Sequence, residues 1–598
     1  MSNVIGLVYE SSALGISVKL DSDSFEANKA SLIIGKHLKI DTGNHDFLIA
    51  AITNIKAISD GESDKYIVVT DPLGTVWNDV FSPGSSILPS PTEKVYVADE
   101  NTLKHIFLQN EKYSFNLGNL VQNKDISLFL DGDIFFSKHI GIVGSTGSGK
   151  SCTVAKILQE AVGINDGKNL YIDEKKNSHI IIFDIHSEYS AAFKVAKEEK
   201  FTLNYLDVEK MKLPYWLMNS EELESIFIES NENNSHNQVS QFRKAVIKNK
   251  EKHNSGITKV TYDTPVYFSI HEVYNFIYNL NNEVINKKEN EKWLPKIINQ
   301  TGQTELINNT DVYFDKIYNF VPTSTSKAEK ASNGAFNGEF NRFIARLDNK
   351  INDKRLDFLM EPLKDDGTQY LTGDFPDILK QFLGYLNKSN VSIIDLSGVP
   401  FEVLSITVSL ISRIIFDFTF HYSKLKHIKN TTNDVPFLLV CEEAHNYVPK
   451  SNSADYKASK RSIERIAKEG RKYGLSLMVV SQRPSEVSDT IFAQCNNFIS
   501  LRLTNSTDQN YIKNLLPNNS GAIADILPTL APGECLVVGD ATPIPSIVKM
   551  KMPNPEPNSE NVRFHKVWNE NWKKIDNEDS CEITIDSVIS RWKGGWVK

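Results

Sequence analysis

The sequence is poor in cysteine, and the cysteines it has are scattered. Cys152, Cys441, Cys495, Cys535 and Cys581 form no CxxC pair. That spacing argues against a zinc site or a disulfide framework. They read instead as small side chains, most of them buried. Basic charge is also in deficit. Lys and Arg number 66 against 75 Asp and Glu, for a formal net charge of −9. This balance argues against a wide basic face of the kind that coats nucleic acid. It is compatible with a narrow basic pore, where local charge decides binding. No apolar run is seen to reach the roughly 18–20 residues that a membrane helix needs. The opening residues, MSNVIGLVYESSALG, lack the basic start and small-residue cleavage site of a secretory leader. The expectation is a cytoplasmic chain with no membrane segment. No internal repeat is evident.

What is present is too long for one core: 598 residues call for several domains. Residues 1–105 read as short β-branched segments such as Asp46–Ile55, Lys65–Thr70 and Lys94–Ala98, punctuated by Gly, Asp, Ser and Pro. A small N-terminal β-barrel is the expectation. From 106 to 204, and again from 386 to 552, apolar strand-like runs alternate with helical stretches, as in an α/β domain with a parallel sheet. The strands expected are His139–Val143, His179–Phe183, Val391–Asp395, Phe437–Val440, Ser476–Val480, Phe498–Arg502 and Cys535–Val538. Being apolar throughout, they suit burial on both faces. Residues 205–385 interrupt this rhythm with Asn, Lys and Glu. They read as an inserted, mainly helical subdomain, with a helix over Asn341–Leu347 and mobile loops at Asn231–His236 and Thr323–Asn337. The tail, 553–598, opens on a linker-like NPEPNSEN and carries Trp568, Trp572, Trp592 and Trp596. It reads first as a docked strand and helix, second as an aromatic docking site for a partner.

The strongest motif is Gly144-Ser145-Thr146-Gly147-Ser148-Gly149-Lys150-Ser151, a full match to GxxxxGK[ST]. A strand precedes it, and Cys152 continues into a good helix. Glycines let the backbone curl so that its N–H groups face phosphates, and the helix N-terminus adds partial positive charge. Lys150 is placed to reach the β- and γ-phosphates of ATP, and Ser151 to ligate Mg²⁺.

A second motif is the apolar run Pro436–Cys441, which ends in Glu442 and Glu443. Alone, a carboxylate pair at a strand end is a solvated pair. Downstream of a phosphate loop, one carboxylate holds the Mg²⁺ shell and its neighbour orients and deprotonates water. Because adjacent strand residues point to opposite faces, Glu442 is assigned to the metal and Glu443 to the water. Two further strand ends carry polar groups, and ligands of open α/β sheets lie beyond such ends. Gln482 is placed to sense the γ-phosphate or the water. Asp184, with Glu188, either supports Mg²⁺ or caps a helix. The basic stretch Lys460–Lys472 offers Arg461, Arg465 and Arg471 as fingers reaching into a neighbour's site. Any one of them alone reads as part of a solvated face.

Taken in order, Gly144–Ser151, Asp184-Ile-His-Ser-Glu-Tyr189, Glu442-Glu-Ala-His-Asn-Tyr-Val-Pro449, Lys468-Glu-Gly-Arg-Lys-Tyr-Gly474 and Ser481-Gln-Arg-Pro484 resemble the HerA family. Phe343–Leu347 with Asp353–Phe358, and Leu530–Gly539, resemble further segments of it. Members often read Asp-Pro-His-Gly-Glu-Tyr where this chain has Asp-Ile-His-Ser-Glu-Tyr; Asp184 and Glu188 remain. The resemblance implies a RecA-like core related to FtsK-type pumps and a homohexameric ring with ATP sites between subunits. It also implies double-stranded DNA threaded through the pore. Relatives work with a partner: a nuclease such as NurA in archaea, or a nuclease or sirtuin-like NADase in bacterial anti-phage defence.

Overall fold

Strand runs buried on both faces need neighbours on both sides, and the computed structural model shows how they find them. It describes residues 3–593 apart from 13–14, 44–45, 60–63, 78–79, 85–86, 108–112, 165–176, 195–200, 230–233, 452–455, 517–523, 560–561 and 570–584. Cys581, Trp572, Trp596 and residues 231–233 lie outside the described residues.

At the N-terminus, side chains alternate. In β2 (Gly15–Asp21), Ile16, Val18 and Leu20 are buried while Lys19 is exposed, the period of a half-buried strand. Its partners are β1 (Gly6–Ser12), β3 (His37–Asp41), β4 (Phe47–Ser59), β5 (Asp64–Trp77) and β7 (Lys94–Val97). The antiparallel order is β2-β1-β7-β3-β4-β5, and β5 pairs back onto β2 with Thr70 opposite Ile16. Six strands therefore close a barrel, as expected, around its own core of Val18, Leu38, Ile40, Leu48 and Val95. A short β6 (Val80–Pro83) extends β5 outside the closure.

The second sheet has eleven strands. They are β8 (Ser114–Leu120), β9 (Ser127–Asp131), β10 (His139–Val143), β11 (His179–Asp184), β12 (Phe201–Leu206), β17 (Ser389–Asp395), β18 (Phe437–Cys441), β19 (Leu475–Ser481), β20 (Cys495–Leu501), β21 (Glu534–Gly539) and β22 (Ser546–Met550). The order is β12-β17-β11-β18-β19-β10-β20-β21-β22-β8-β9. The expected strands are all there. The sheet is parallel from β12 to β20, but β21, β22, β8 and β9 join it antiparallel. The expectation of a parallel sheet is corrected to a mixed one. The reason is connection length: β21 and β22 are joined by residues 540–545, too short for the crossover that parallel neighbours need.

Between β12 and β17 the chain forms helices Ser220–Phe227, Ser235–His253, Ile270–Asn282, Asn341–Ile351 and Phe375–Leu383. Two small two-stranded sheets accompany them, β13 (Val284–Asn286) with β16 (Ala331–Asn333) and β14 (Lys296–Ile298) with β15 (Thr304–Leu306). Thr323–Asn337, read as a mobile loop, is pinned by the β13–β16 pairing and by mutual hydrogen bonds between Ser324 and Ala331. Phe227, Phe242, Phe276 and Phe343 of this region share one apolar core with the sheet.

Helix Phe401–Ile428 overturns one expectation. Its most apolar 18-residue window has a mean hydropathy of 1.7, long and apolar enough to cross a membrane. Scattered Glu402, Arg413 and Asp417 hide this in the sequence. The helix is a core helix: 78% of that window is buried. Arg413 on it meets Glu222, which is 1% exposed. Glu222 closes a reciprocal capping box with Asn219 at the start of helix Ser220–Phe227. It also accepts from Arg413 Nη2 at 2.9 Å and Ser409 Oγ at 2.9 Å. One carboxylate thus ties the inserted region to the core.

Residues 559–598 form a separate unit. Its described helices, Phe564–Trp568 and Ile585–Trp592, bury no side chain; Trp568 is 75% exposed and Trp592 86%. Among its described residues there is no strand.

Removing one partner of a buried ion pair strands the other charge, at a cost of about 3–5 kcal/mol. Arg413→Ala is therefore expected to lower the thermal unfolding midpoint sharply. A melt superimposable on the wild type would show that the Glu222 pair does not brace the fold.

Candidate ATPase site

The carboxyl ends of β10, β11, β18 and β19 lie side by side, and there the motif residues meet. The loop after β10 turns on two glycines with positive φ, Gly147 at 73° and Gly149 at 98°. A side chain would be strained at both. At Gly149 it would also crowd Gly533, whose N–H donates to the Ser148 carbonyl at 2.9 Å. The loop is anchored from the other side too, Ser145 N donating to the Arg502 carbonyl at 2.9 Å. Helix Lys150–Val162 starts at Gly149, and its first-turn N–H groups have no acceptor within the helix. Lys150 is 6% exposed, Ser148 is buried, and Ser151 and Cys152 are half-buried.

Lys150 makes an ion pair with Glu443, which is 2% exposed. The strand-pleat argument for Glu442 and Glu443 does not hold, because β18 ends at Cys441. Glu443 has φ 45° and ψ 48°, left-handed backbone that costs a residue with a side chain about 1–2 kcal/mol. The short turn Ala444–Asn446 follows it. This kink, not the pleat, turns the Glu443 carboxylate onto Lys150. Gln482 clasps the same carboxylate, its Nε2 donating to Oε1 at 2.6 Å and its backbone N to Oε2 at 3.2 Å. Gln482 Oε1 in turn accepts from Thr146 Oγ1 at 2.7 Å. The sequence reading missed Thr146 as a partner; only its place in the loop pointed to it. Lys150, Glu443, Gln482 and Thr146 form one chain of contacts from the phosphate loop to the acidic strand end and back.

Glu442 is 1% exposed, and its Oε2 has no hydrogen-bond partner. Burial, reinforced by the Glu443 charge and only partly offset by Lys150, holds its carboxyl well above the ordinary range. Asp184 is fully buried at the end of β11. Its oxygens accept from the N–H groups of His186 at 3.3 Å, Glu188 at 3.1 Å and Tyr189 at 3.0 Å. These bonds hold the turn after β11, while Glu188, not Asp184, stands at the start of the short helix Tyr189–Phe193. Burial still raises the Asp184 carboxyl, outweighing those bonds. Glu188 Oε2 is buried without a partner.

The three arginines do not join this constellation. Arg461 pairs with Glu221 at 2.6 Å. Arg465 lies over the Phe416 ring at 4.2 Å, with Asp417 and Glu469 at 3.8 and 3.9 Å. Arg471 donates to Asn496 Oδ1 at 3.2 Å. It stands just ahead of β19, at the end of that strand opposite Ser481. All three are exposed.

A phosphate loop between a buried parallel strand and a helix, facing a paired glutamate and a strand-end glutamine, defines a P-loop ATPase. The family model for the central domain of helicase HerA matches residues 115–415. The chain belongs to the HerA helicase family and is a helicase ATPase of that type. It is 25% identical over 517 residues to a DNA double-strand break repair helicase HerA of Sulfolobus acidocaldarius, covering 83% of this chain and 79% of that one. A probable DNA double-strand break repair helicase HerA of Methanocaldococcus jannaschii is 25% identical over 496 residues, covering 78% and 82%. Among solved structures, the bacterial conjugative coupling protein TrwBdeltaN70 superposes with a TM-score of 0.42 at 11% identity, covering 77% of this chain and 94% of that one.

Lys150→Ala removes the loop's phosphate-facing charge and leaves Glu443 buried without its cation. Hydrolysis at saturating ATP is expected to fall to background. Turnover within a few-fold of wild type would remove Lys150 from the chemistry.

Proposed function

We propose that the chain is a ring-forming motor that hydrolyses ATP to translocate double-stranded DNA. The contact chain from Thr146 through Gln482 and Glu443 to Lys150 carries this reading. It links the phosphate loop to the residue best placed to act on water, so nucleotide arrival and hydrolysis are coupled through one carboxylate. Residues 144–152 would hold the phosphates. Lys150 would exchange Glu443 for the γ-phosphate, releasing Glu443 to orient and deprotonate the attacking water. Gln482 would follow that exchange through both its partners.

The donor set fits Mg²⁺. Glu442 Oε2 is buried and unpartnered, an orphan that a cation satisfies. Ser151 would supply a hydroxyl, with Asp184 shaping the turn beside it. Among the described residues no three His, Cys, Asp or Glu side chains form a metal cage on their own. That suits Mg²⁺, which keeps waters and phosphate oxygens in its shell. When bound, Mg²⁺ supplies charge that offsets the negative charge building on the phosphates.

The HerA relatives named for DNA double-strand break repair support a duplex substrate. A homohexamer in the cytoplasm, feeding a nuclease or sirtuin-like NADase in anti-phage defence, is the fuller form of this proposal. In such a ring Arg471 is the finger most easily spared. Its own partner is a neutral amide, whereas Arg461 and Arg465 sit against carboxylates.

A second reading is an ATP-controlled scaffold that holds and switches an effector without moving along DNA. The net charge of −9 and the exposed Trp568 and Trp592 favour it. Steady-state ATPase with and without linear duplex separates the two. Stimulation by duplex, absent in Glu443→Gln although that variant retains ATP, is the expected result. Turnover indifferent to DNA would favour the scaffold, and normal hydrolysis by Glu443→Gln would remove it as the base.

A further inference from the structure

Glu443 has one oxygen turned to Lys150 and Gln482. The other, Oε2, accepts from the backbone N–H of Gln482 at 3.2 Å, and Nδ1 of His445 stands 3.3 Å from it. The same Nδ1 lies 3.2 Å from Ser481 Oγ, which already accepts from Arg483 N at 3.0 Å. The Glu443 charge favours a proton on Nδ1 over a lone pair there. A proton on Nδ1 would be donated to Ser481 Oγ with the Glu443 Oε2 charge close beside it. Burial lowers the imidazole's affinity for a second proton, outweighing the nearby Glu443, so the ring is a neutral donor. The left-handed kink at Glu443 and the turn Ala444–Asn446 are what fold His445 back over its own strand end. His445 also forms part of the wall of a cavity of about 490 Å³, together with His186, Asn446, Arg483 and Tyr456.

We propose that His445, braced by Ser481, is a positioning residue for hydrolysis: it fixes the second oxygen of Glu443 once Lys150 has turned to phosphate. This rests on Glu443 being the base. Once the Lys150 contact is given up, Oε1 keeps only the Gln482 side chain. The direction of the carboxylate is then set by what holds Oε2. A base misplaced by about 1 Å can lose a hundredfold in rate, so the effect belongs in kcat and not in ATP binding.

The test is steady-state ATPase of His445→Ala, His445→Asn, Ser481→Ala and the Ala/Ala double variant, beside Glu443→Gln. Asparagine places its amide N–H near the position of Nδ1. The expected result is a kcat about ten- to a hundredfold lower for His445→Ala. Its KM for ATP should stay within about twofold of wild type. His445→Asn should recover most of the loss, and the double variant should be no slower than His445→Ala. Wild-type turnover in His445→Ala, a rise in KM alone, or an Asn variant as slow as Ala would each overturn the proposal. If His445→Ala does not fold, Ser481→Ala and His445→Asn decide it. If Glu443→Gln hydrolyses ATP normally, the base assignment fails first. If that variant is inactive and His445→Ala is not slowed, only the positioning role fails.

Discussion

The ion pair between Lys150 and Glu443 is the contact on which the site's organisation depends. Both charges are taken almost entirely out of water, which neither would tolerate alone. Their meeting requires three adjacent strands in fixed register. β19 lies between β10 and β18, with Ile142 beside Val480 and Val440 beside Met478. Only that order brings a lysine that follows β10 to a glutamate 293 positions later in the chain. The same β19 ends in Ser481 and delivers Gln482 between the two. The left-handed backbone at Glu443 is the local cost of this arrangement, and the contacts of its carboxylate hold it there.

Much of this was legible in the sequence, and the reason is range. Strands such as His139–Val143 declare themselves through a run of five residues, and the phosphate loop through eight. Both depend on neighbours close in the chain. Glu442 and Glu443 were recognisable as a pair by the same local logic. What local logic could not supply was the departure from pleating at Glu443, since nothing in Cys-Glu-Glu-Ala favours left-handed backbone. Asp184 shows a similar limit: a carboxylate after a strand suits a cation and a cap equally, and its three N–H donors come from a turn whose shape the sequence does not declare. The antiparallel part of the sheet and the buried helix Phe401–Ile428 escape the sequence for a different cause. Strand direction follows from connection lengths between elements that must first be placed. The apolar character of that helix is broken up along the chain by Arg413 and Asp417, which the fold satisfies with Glu222 and with each other. His445 was on the page as part of a motif, but its partner Ser481 comes from another strand.

The buried ion pairs Lys150–Glu443 and Arg413–Glu222 differ in a way that separates bracing from chemistry. Around Glu222 the acceptor sites are taken: Arg413 approaches both oxygens, Ser409 donates to one and the Asn219 N–H to the other. Such a pair is finished, and any exchange of partner would leave a charge stranded. Around Glu443 the account is open. Glu442 Oε2, on the next residue, and Glu188 Oε2 and the Ser148 hydroxyl, in the neighbouring motif loops, are buried without hydrogen-bond partners. Buried polar atoms in folded proteins nearly always find a partner, and Glu442 Oε2, next to the Lys150–Glu443 pair, is the acceptor that the proposed Mg²⁺ would use. The acidic members want a cation, and the loop's N–H groups want an anion. Mg²⁺ with a nucleoside triphosphate supplies both at once. On the proposed reading Lys150 would have phosphate oxygens to choose over Glu443, and the Lys150–Glu443 pair would be the element that changes when nucleotide binds.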